Sequence, residues 1–299
     1  MRFALVALLV CACGGKDKGA SAPTIARELT KAERMIALLP NGCQMLVEID
    51  LQRLRGNPVV GDVAKRALAS LGAEQKIPGL PLAVQGSPLA SADMIIVGSY
   101  ALGTAQVGTV TIVATKEDIQ NAVRLNNEFV VIGSDELVRQ VEARAAIASR
   151  SRLEPSLDLM KLRDHAMPEQ APGATLRVTA QLSFDARVAI ARQTGLDVAP
   201  AQISIWGDVV DDLVIVIDAD AADPGDTKNK DAAKRLAKAI NVLLAGFARE
   251  PAVRLIGLAN NFGQARMIAK ATWVRVIIEV GPRQLARVVE RARALLPPS

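Results

Sequence analysis

Five residues near position 133 return near position 281 in the same order and at one spacing. Gly133, Leu137, Arg139, Val141 and Glu142 recur as Gly281, Leu285, Arg287, Val289 and Glu290, each 148 residues further on. Both sets lie where an apolar strand gives way to a helix. A duplication on this scale constrains the chain strongly, because each half must then build the same kind of layered core.

The flanking patterns agree. Apolar alternation and helical periodicity predict a strand over 45–49, a helix over 59–71, strands over 94–99 and 107–114, a short helix over 117–123, a strand over 129–132 and a helix over 135–148. The second half predicts a strand over 176–182, a helix over 185–193, strands over 203–206 and 213–217, a helix over 229–248, a strand over 273–280 and a helix over 283–296. Ahead of them, Pro23 opens a helix with Ile25, Leu29, Ile36 and Leu39 on one face, closed by Pro40-Asn41-Gly42. The expected fold is α+β in two similar halves, 23–150 and 174–299. Each half is an antiparallel sheet with helices packed on one face, of split β-α-β, ferredoxin-like type. Pro155, Pro168, Pro172 and Gly173 mark 151–173 as a linker.

The first residues carry an address. Met1-Arg2 is a short positive start, 3–10 is unbroken apolar sequence, and Val10-Cys11-Ala12-Cys13 precedes a polar stretch. Ten helical residues rise roughly 15 Å, half of a ~30 Å hydrocarbon core, so the run is a signal peptide over 1–12 rather than a span. Val10-Cys11-Ala12-Cys13 resembles the bacterial lipobox, with Cys11 where a small residue is usual. That resemblance implies a lipoprotein whose mature N-terminus is Cys13, bearing a diacylglycerol and an amide-linked acyl chain. One chain anchors only marginally and two or three hold firmly, at ~0.8 kcal/mol per buried methylene. Gly14, in place of an inner-membrane aspartate signal, implies a cell-envelope location on the outer membrane. Residues 13–22 form a tether rich in Gly, Ser, Ala and Lys. The body also resembles uncharacterised bacterial lipoprotein families that open with a Leu-Pro turn, an apolar strand ending in Asp-Leu and a helix. Here these are Leu39-Pro40 and Ile49-Asp50-Leu51.

Composition sets limits. The 299 residues include 36 Lys and Arg against 31 Asp and Glu, and three Cys. With Cys11 removed and Cys13 lipidated, Cys43 stands alone and no internal disulfide forms. Lying just before Met45-Leu46-Val47, it is expected as a buried, inert thiol; an exposed partner-linking thiol is the alternative. Two Trp, one Tyr and five Phe do not interleave with any basic run, which excludes nucleic acid as a partner.

Few residues offer chemistry. His165 is the single histidine, in Arg163-Asp164-His165-Ala166-Met167-Pro168, and no Gly-x-Ser-x-Gly elbow accompanies it. It is expected as a solvated loop residue. Gly56 to Gly61 has the outer glycine spacing of a phosphate loop, but Asp62-Val63 follows where Lys and Ser or Thr are needed. Asp218-Ala219-Asp220 alternates like calcium-loop ligands, without the glycine and glutamate such loops need further on (Asp223 and Asn229 stand there), and reads as a solvated strand edge. Glu48 and Asp50 share one face of their strand, expected to be exposed. Arg283, Arg287 and Arg291 form a basic stripe on the last helix, suited to an anionic surface. No residues suggest a cofactor or metal.

Two functions remain. The first is a non-enzymatic envelope module, anchored to the membrane through Cys13, that binds an envelope protein or polymer. The second is an envelope hydrolase using carboxylates alone, which needs Asp and Glu from distant positions to converge.

Overall fold

The computed structural model describes residues 27–70, 91–169, 171, 173–195, 197–221 and 231–296. The signal peptide, Cys13 and the tether lie outside the described residues, as does the Gly/Pro-rich connection over 78–88.

Among the described residues, ten strands form one antiparallel sheet in the order β4-β5-β3-β2-β1-β6-β7-β8-β10-β9. The strands are β1 (Met45–Asp50), β2 (Met94–Tyr100), β3 (Gly108–Ala114), β4 (Val123–Arg124), β5 (Phe129–Gly133), β6 (Leu176–Gln181), β7 (Gln202–Val209), β8 (Leu213–Asp220), β9 (Arg266–Lys270) and β10 (Trp273–Val280). The helices are α1 (Lys31–Ala37), α2 (Leu51–Gly56), α3 (Gly61–Ser70), α4 (Asp135–Ala148), α5 (Leu157–Arg163), α6 (Phe184–Thr194), α7 (Ala232–Arg249), α8 (Pro251–Ile256), α9 (Ala259–Gly263) and α10 (Pro282–Leu295).

The α+β class is as expected. The separation into two sheets is not. β1 pairs with β6 over Met45↔Ala180 to Ile49↔Leu176, so one sheet runs through both halves. Reading outward from this seam, β1-β2-β3-β5-β4 faces β6-β7-β8-β10-β9. Joining the halves gives each of these inner strands a partner and leaves only β4 and β9 as edges, which limits strand-to-strand aggregation.

Helices cover both faces rather than one. On the front, Met35 and Ile36 of α1 and Val138 and Val141 of α4 pack on Leu46, Ile96, Val110, Ile112 and Val131. On the back, Leu51 and Leu68 meet Val47, Val97 and Val130, while Leu236 of α7 meets Val274, Val276 and Ile278. α4 and α10 carry the recurring residues, yet Val141 packs on the front and Val289, beside Val280 and Val209, on the back. The surface they meet decides this. In the second half the front row holds Ser204, Asp218 and Arg275, and Val289 gains nothing by covering charge.

Local signals set most ends. α1 begins at Lys31, because Thr30 and Glu33 form a capping box: Glu33 N donates to Thr30 Oγ1 and Thr30 N to Glu33 Oε2. Pro23 and Ile25, where the helix was expected to open, lie outside the described residues. Residues 117–122 make bends and turns leading into β4 where a helix over 117–123 was expected. The 151–173 segment contains α5, and Ala166, Met167 and Ala171 pack on Trp206 and Val216.

Candidate functional site

Antiparallel pairing lines up residues on one face, so a row across the front can be followed strand by strand. One row runs Leu46, Thr179, Ser204, Asp218, Arg275 across β1, β6, β7, β8 and β10. The next runs Glu48, Arg177, Trp206, Val216, Ile277. Charged residues thus stand in a mostly apolar sheet, where each needs a partner.

The partners come from the end of α5. Arg163 holds Glu48 through Nε to Oε1 at 2.6 Å and Nη2 to Oε2 at 2.8 Å. Asp164 Oδ1 accepts from Arg177 Nη1 at 3.0 Å. His165 Nδ1 lies 2.7 Å from Asp218 Oδ2. Ala166 N donates to Ser204 Oγ at 3.1 Å. Four consecutive residues are therefore stitched to β1, β6, β8 and β7, across the seam between the halves. Arg275 completes the band: Nε donates to Asp218 Oδ1 at 2.7 Å and Nη2 to Oδ2 at 2.6 Å. Arg275 Nη2 also donates to the His165 carbonyl.

Beside the band, Arg53 of α2 grips Asp208 through both oxygens, at 2.7 and 2.5 Å, and Thr175 Oγ1 donates to Asp208 at 2.8 Å. Burial raises the Asp208 carboxyl, but these hydrogen bonds outweigh it and hold the group below the usual carboxylate range.

Several expectations change here. His165 is no plain loop residue: its ring stacks on Trp273 with centroids 3.9 Å apart and planes 16° from parallel. Among the described residues no hydroxyl or thiol hydrogen-bonds to its Nε2. Asp218 is 1% exposed on an inner strand and is bound to Arg275 and His165, not placed on a solvated edge. Asp220 also lies in β8, and Asp223 and Asn229 fall outside the described residues. Among the described residues, no group of three His, Cys, Asp or Glu is arranged to hold a metal ion. Glu48 and Asp50 do share the front face, but Glu48 is 4% exposed rather than displayed. Asp50 Oδ1 caps α2 by accepting from Arg53 N at 2.7 Å. Gly56 to Gly61 joins α2 to α3, with Asn57 Oδ1 accepting from Val59 N and Val60 N.

Cys43 donates to the Met45 carbonyl, and burial pushes its thiol up to about 11. Arg283, Arg287 and Arg291 are exposed on α10 and form no ion pair among the described residues. Arg291 lies close over Gly257, at the C-terminal end of α8, where a cation complements the helix dipole.

Sequence reasoning passed over Arg53, Arg163, Arg177 and Arg275. Their signal was present: Arg177 and Arg275 stand between apolar neighbours inside predicted strands, where a charge must find a partner.

Above the band lies a cavity of about 490 Å³ between α1, the seam and the chain around Met167, with Glu48, Asp50, Arg163 and Arg177 in its lining. The arrangement offers charge of both signs on rigid elements, which suits recognition.

No protein-family model matches the chain, and no curated protein matches it. Two solved structures of TP0453 are similar to it in fold. Crystal form I is 7% identical with a TM-score of 0.45, spanning 88% of this chain and 99% of that one. Crystal form III is 8% identical with a TM-score of 0.45, spanning 85% and 96%. Among the described residues, no helix is long and apolar enough to cross a membrane.

Proposed function

We propose that this chain is a bacterial lipoprotein whose body is a non-enzymatic binding module of the cell envelope. Residues 1–12 are removed as a signal peptide. Cys13 carries the lipid on the outer membrane, and 13–22 tether a body of two related α+β halves fused into one sheet. The lipobox-like Val10-Cys11-Ala12-Cys13 supports the anchor. The recurrence at spacing 148 and the matching strand order from the seam support the duplication.

The cavity over the stitched band carries the binding part of the reading. Its ligand is a component of the envelope, a protein or a polymer. A carboxylate hydrolase needs one carboxyl kept protonated and another free to act as base or nucleophile. The buried carboxylates Glu48, Asp208 and Asp218 are each gripped by a guanidinium through both oxygens, which leaves none of them free to act on a substrate and weighs against that chemistry. The exposed Arg283, Arg287 and Arg291 add a weaker contact with an anionic surface.

Three experiments test this. Cys13→Ser is expected to leave an unprocessed precursor without lipid label in cells fed labelled glycerolipid; label on that variant overturns the anchor. Crosslinking in intact cells, followed by mass spectrometry, is expected to yield one recurring envelope partner. Hydrolysis of envelope polymer by the purified protein, lost in Glu48→Gln, restores the hydrolase instead.

A further inference from the structure

We infer that the cavity at the β1–β6 seam binds a small zwitterion, an α-amino acid or short peptide with free ends, its carboxylate on Arg177 and its ammonium on Asp50. This goes beyond the reading above, which concerns an envelope protein or polymer, and adds a small ligand at the same cavity.

Arg177 supplies the carboxylate-binding half of the site. Its side chain is 9% exposed, while Asp164, its carboxylate partner, is 45% exposed and shares the same Oδ1 with Arg163 Nη1. The Arg177 guanidinium has five N–H donors. Nη1 serves Asp164 and the Arg163 carbonyl, and Nη2 is spent on Met167 Sδ at 3.1 Å, a weak acceptor. Among the described residues its Nε has no acceptor. A buried cation held so loosely keeps unused hydrogen-bonding capacity facing the cavity it lines. Burial and the adjacent positive charge of Arg163 both disfavour its charged form, and an incoming carboxylate relieves both.

Asp50 supplies the other half. Among the described residues only its Oδ1 is used, as the cap of α2, and the nearby Arg53 is already committed to Asp208 through both oxygens. Two carboxylates share one cation there, so that end of the cavity favours a positive group. Asp50 and Arg177 lie diagonally across the seam, since Glu48 pairs with Arg177 and Asp50 N donates to the Thr175 carbonyl. The other charges at the mouth close on one another: Arg27 with Glu33, and Lys31 with Asp93. A polyanion or a polycation therefore meets as much repulsion as attraction, and a ligand with one charge of each sign does not. The volume, about 490 Å³, falls within the usual range for small-ligand sites, roughly 300–1,000 Å³.

The test is titration calorimetry on the full-length lipidated protein in detergent micelles. The probes are L-alanine, L-alanyl-L-alanine, its N-acetyl form, its C-terminal amide, and acetate. Binding of alanine or the dipeptide is expected, weakened by about tenfold or more when either end is blocked, as loss of one charge-assisted hydrogen bond implies. Which of the two binds more tightly separates an amino-acid site from a peptide site. Asp50→Asn, whose Oδ1 still caps α2, is expected to bind the N-acetyl and free dipeptides equally. Arg177→Gln is expected to bind the amide and the free acid equally. Should Arg177→Gln fail to fold, Asp50→Asn alone decides. Acetate binding as tightly as alanine with no effect of Asp50→Asn overturns the proposal, as does no binding of either zwitterion at millimolar concentration. The broader binding reading fails separately, if in-cell crosslinking yields no recurring partner.

Discussion

Arg163 grips Glu48 through both carboxylate oxygens, at 2.6 and 2.8 Å, across 115 positions of sequence. The pair ties the end of α5 to β1 with both side chains almost wholly buried, 11% and 5% exposed. Such a pair does little for net stability relative to apolar residues of the same shape, but it is costly to break from one side. Arg163→Met is expected to lower unfolding free energy by about 3–5 kcal/mol, because Glu48 stays buried and unpaired. Arg163→Met with Glu48→Leu is expected to recover most of that loss. Urea unfolding of the wild type, both single variants and the double variant measures the coupling; additive losses contradict it.

Asp208 predicts a pH dependence with a definite sign. Its folded carboxyl titrates below the unfolded value of about 3.9, since Arg53 and Thr175 bind the ionised form. The interaction therefore adds stability above that pH, and the contribution is lost as pH falls through the lower folded value. Asp208→Asn is expected to be less stable near neutrality and to show a shallower fall in urea midpoint between about pH 5 and pH 2. Parallel curves for the two proteins refute the assignment.

Cys43 is expected to resist alkylation in the folded protein. Its thiol is pushed up to about 11 by burial, so little thiolate forms at pH 8. In a Cys11→Ala, Cys13→Ala variant, iodoacetamide is expected to label Cys43 at pH 8 only once urea unfolds the chain. Rapid labelling of the native protein points to an exposed thiol.

The two recurring glycines are expected to behave differently. A Cβ on Gly133 meets the Thr109 carbonyl oxygen at 2.6 Å and Val110 Cα at 3.0 Å, both backbone atoms that yield little. At Gly281 nothing lies within 4 Å. Gly133→Ala is expected to cost roughly 1–3 kcal/mol as overpacking, and Gly281→Ala about 1 kcal/mol or less, as an N-cap change. Thermal melts of the two variants make the comparison, and equal shifts contradict it.

Local elements were largely legible in the residues. The helix expected over 135–148 is α4 residue for residue, and the strand over 273–280 is β10, because periodicity and flanking turn residues are properties of neighbouring positions. The site was visible only in pieces. Glu48, His165 and Asp218 each stood out by residue type, and each carried a bland reading when taken alone.

Tertiary structure decided how those pieces meet. Asp218 finds His165 across 53 positions and Arg275 across 57, and Arg53 finds Asp208 across 155. Such meetings depend on the register of β1 on β6 and of β8 on β10, which no local pattern specifies. α4 and α10 make the same point: they share the recurring residues but lie on opposite faces. An amphipathic helix specifies which of its own sides is apolar, while the sheet beneath decides where that side can be buried.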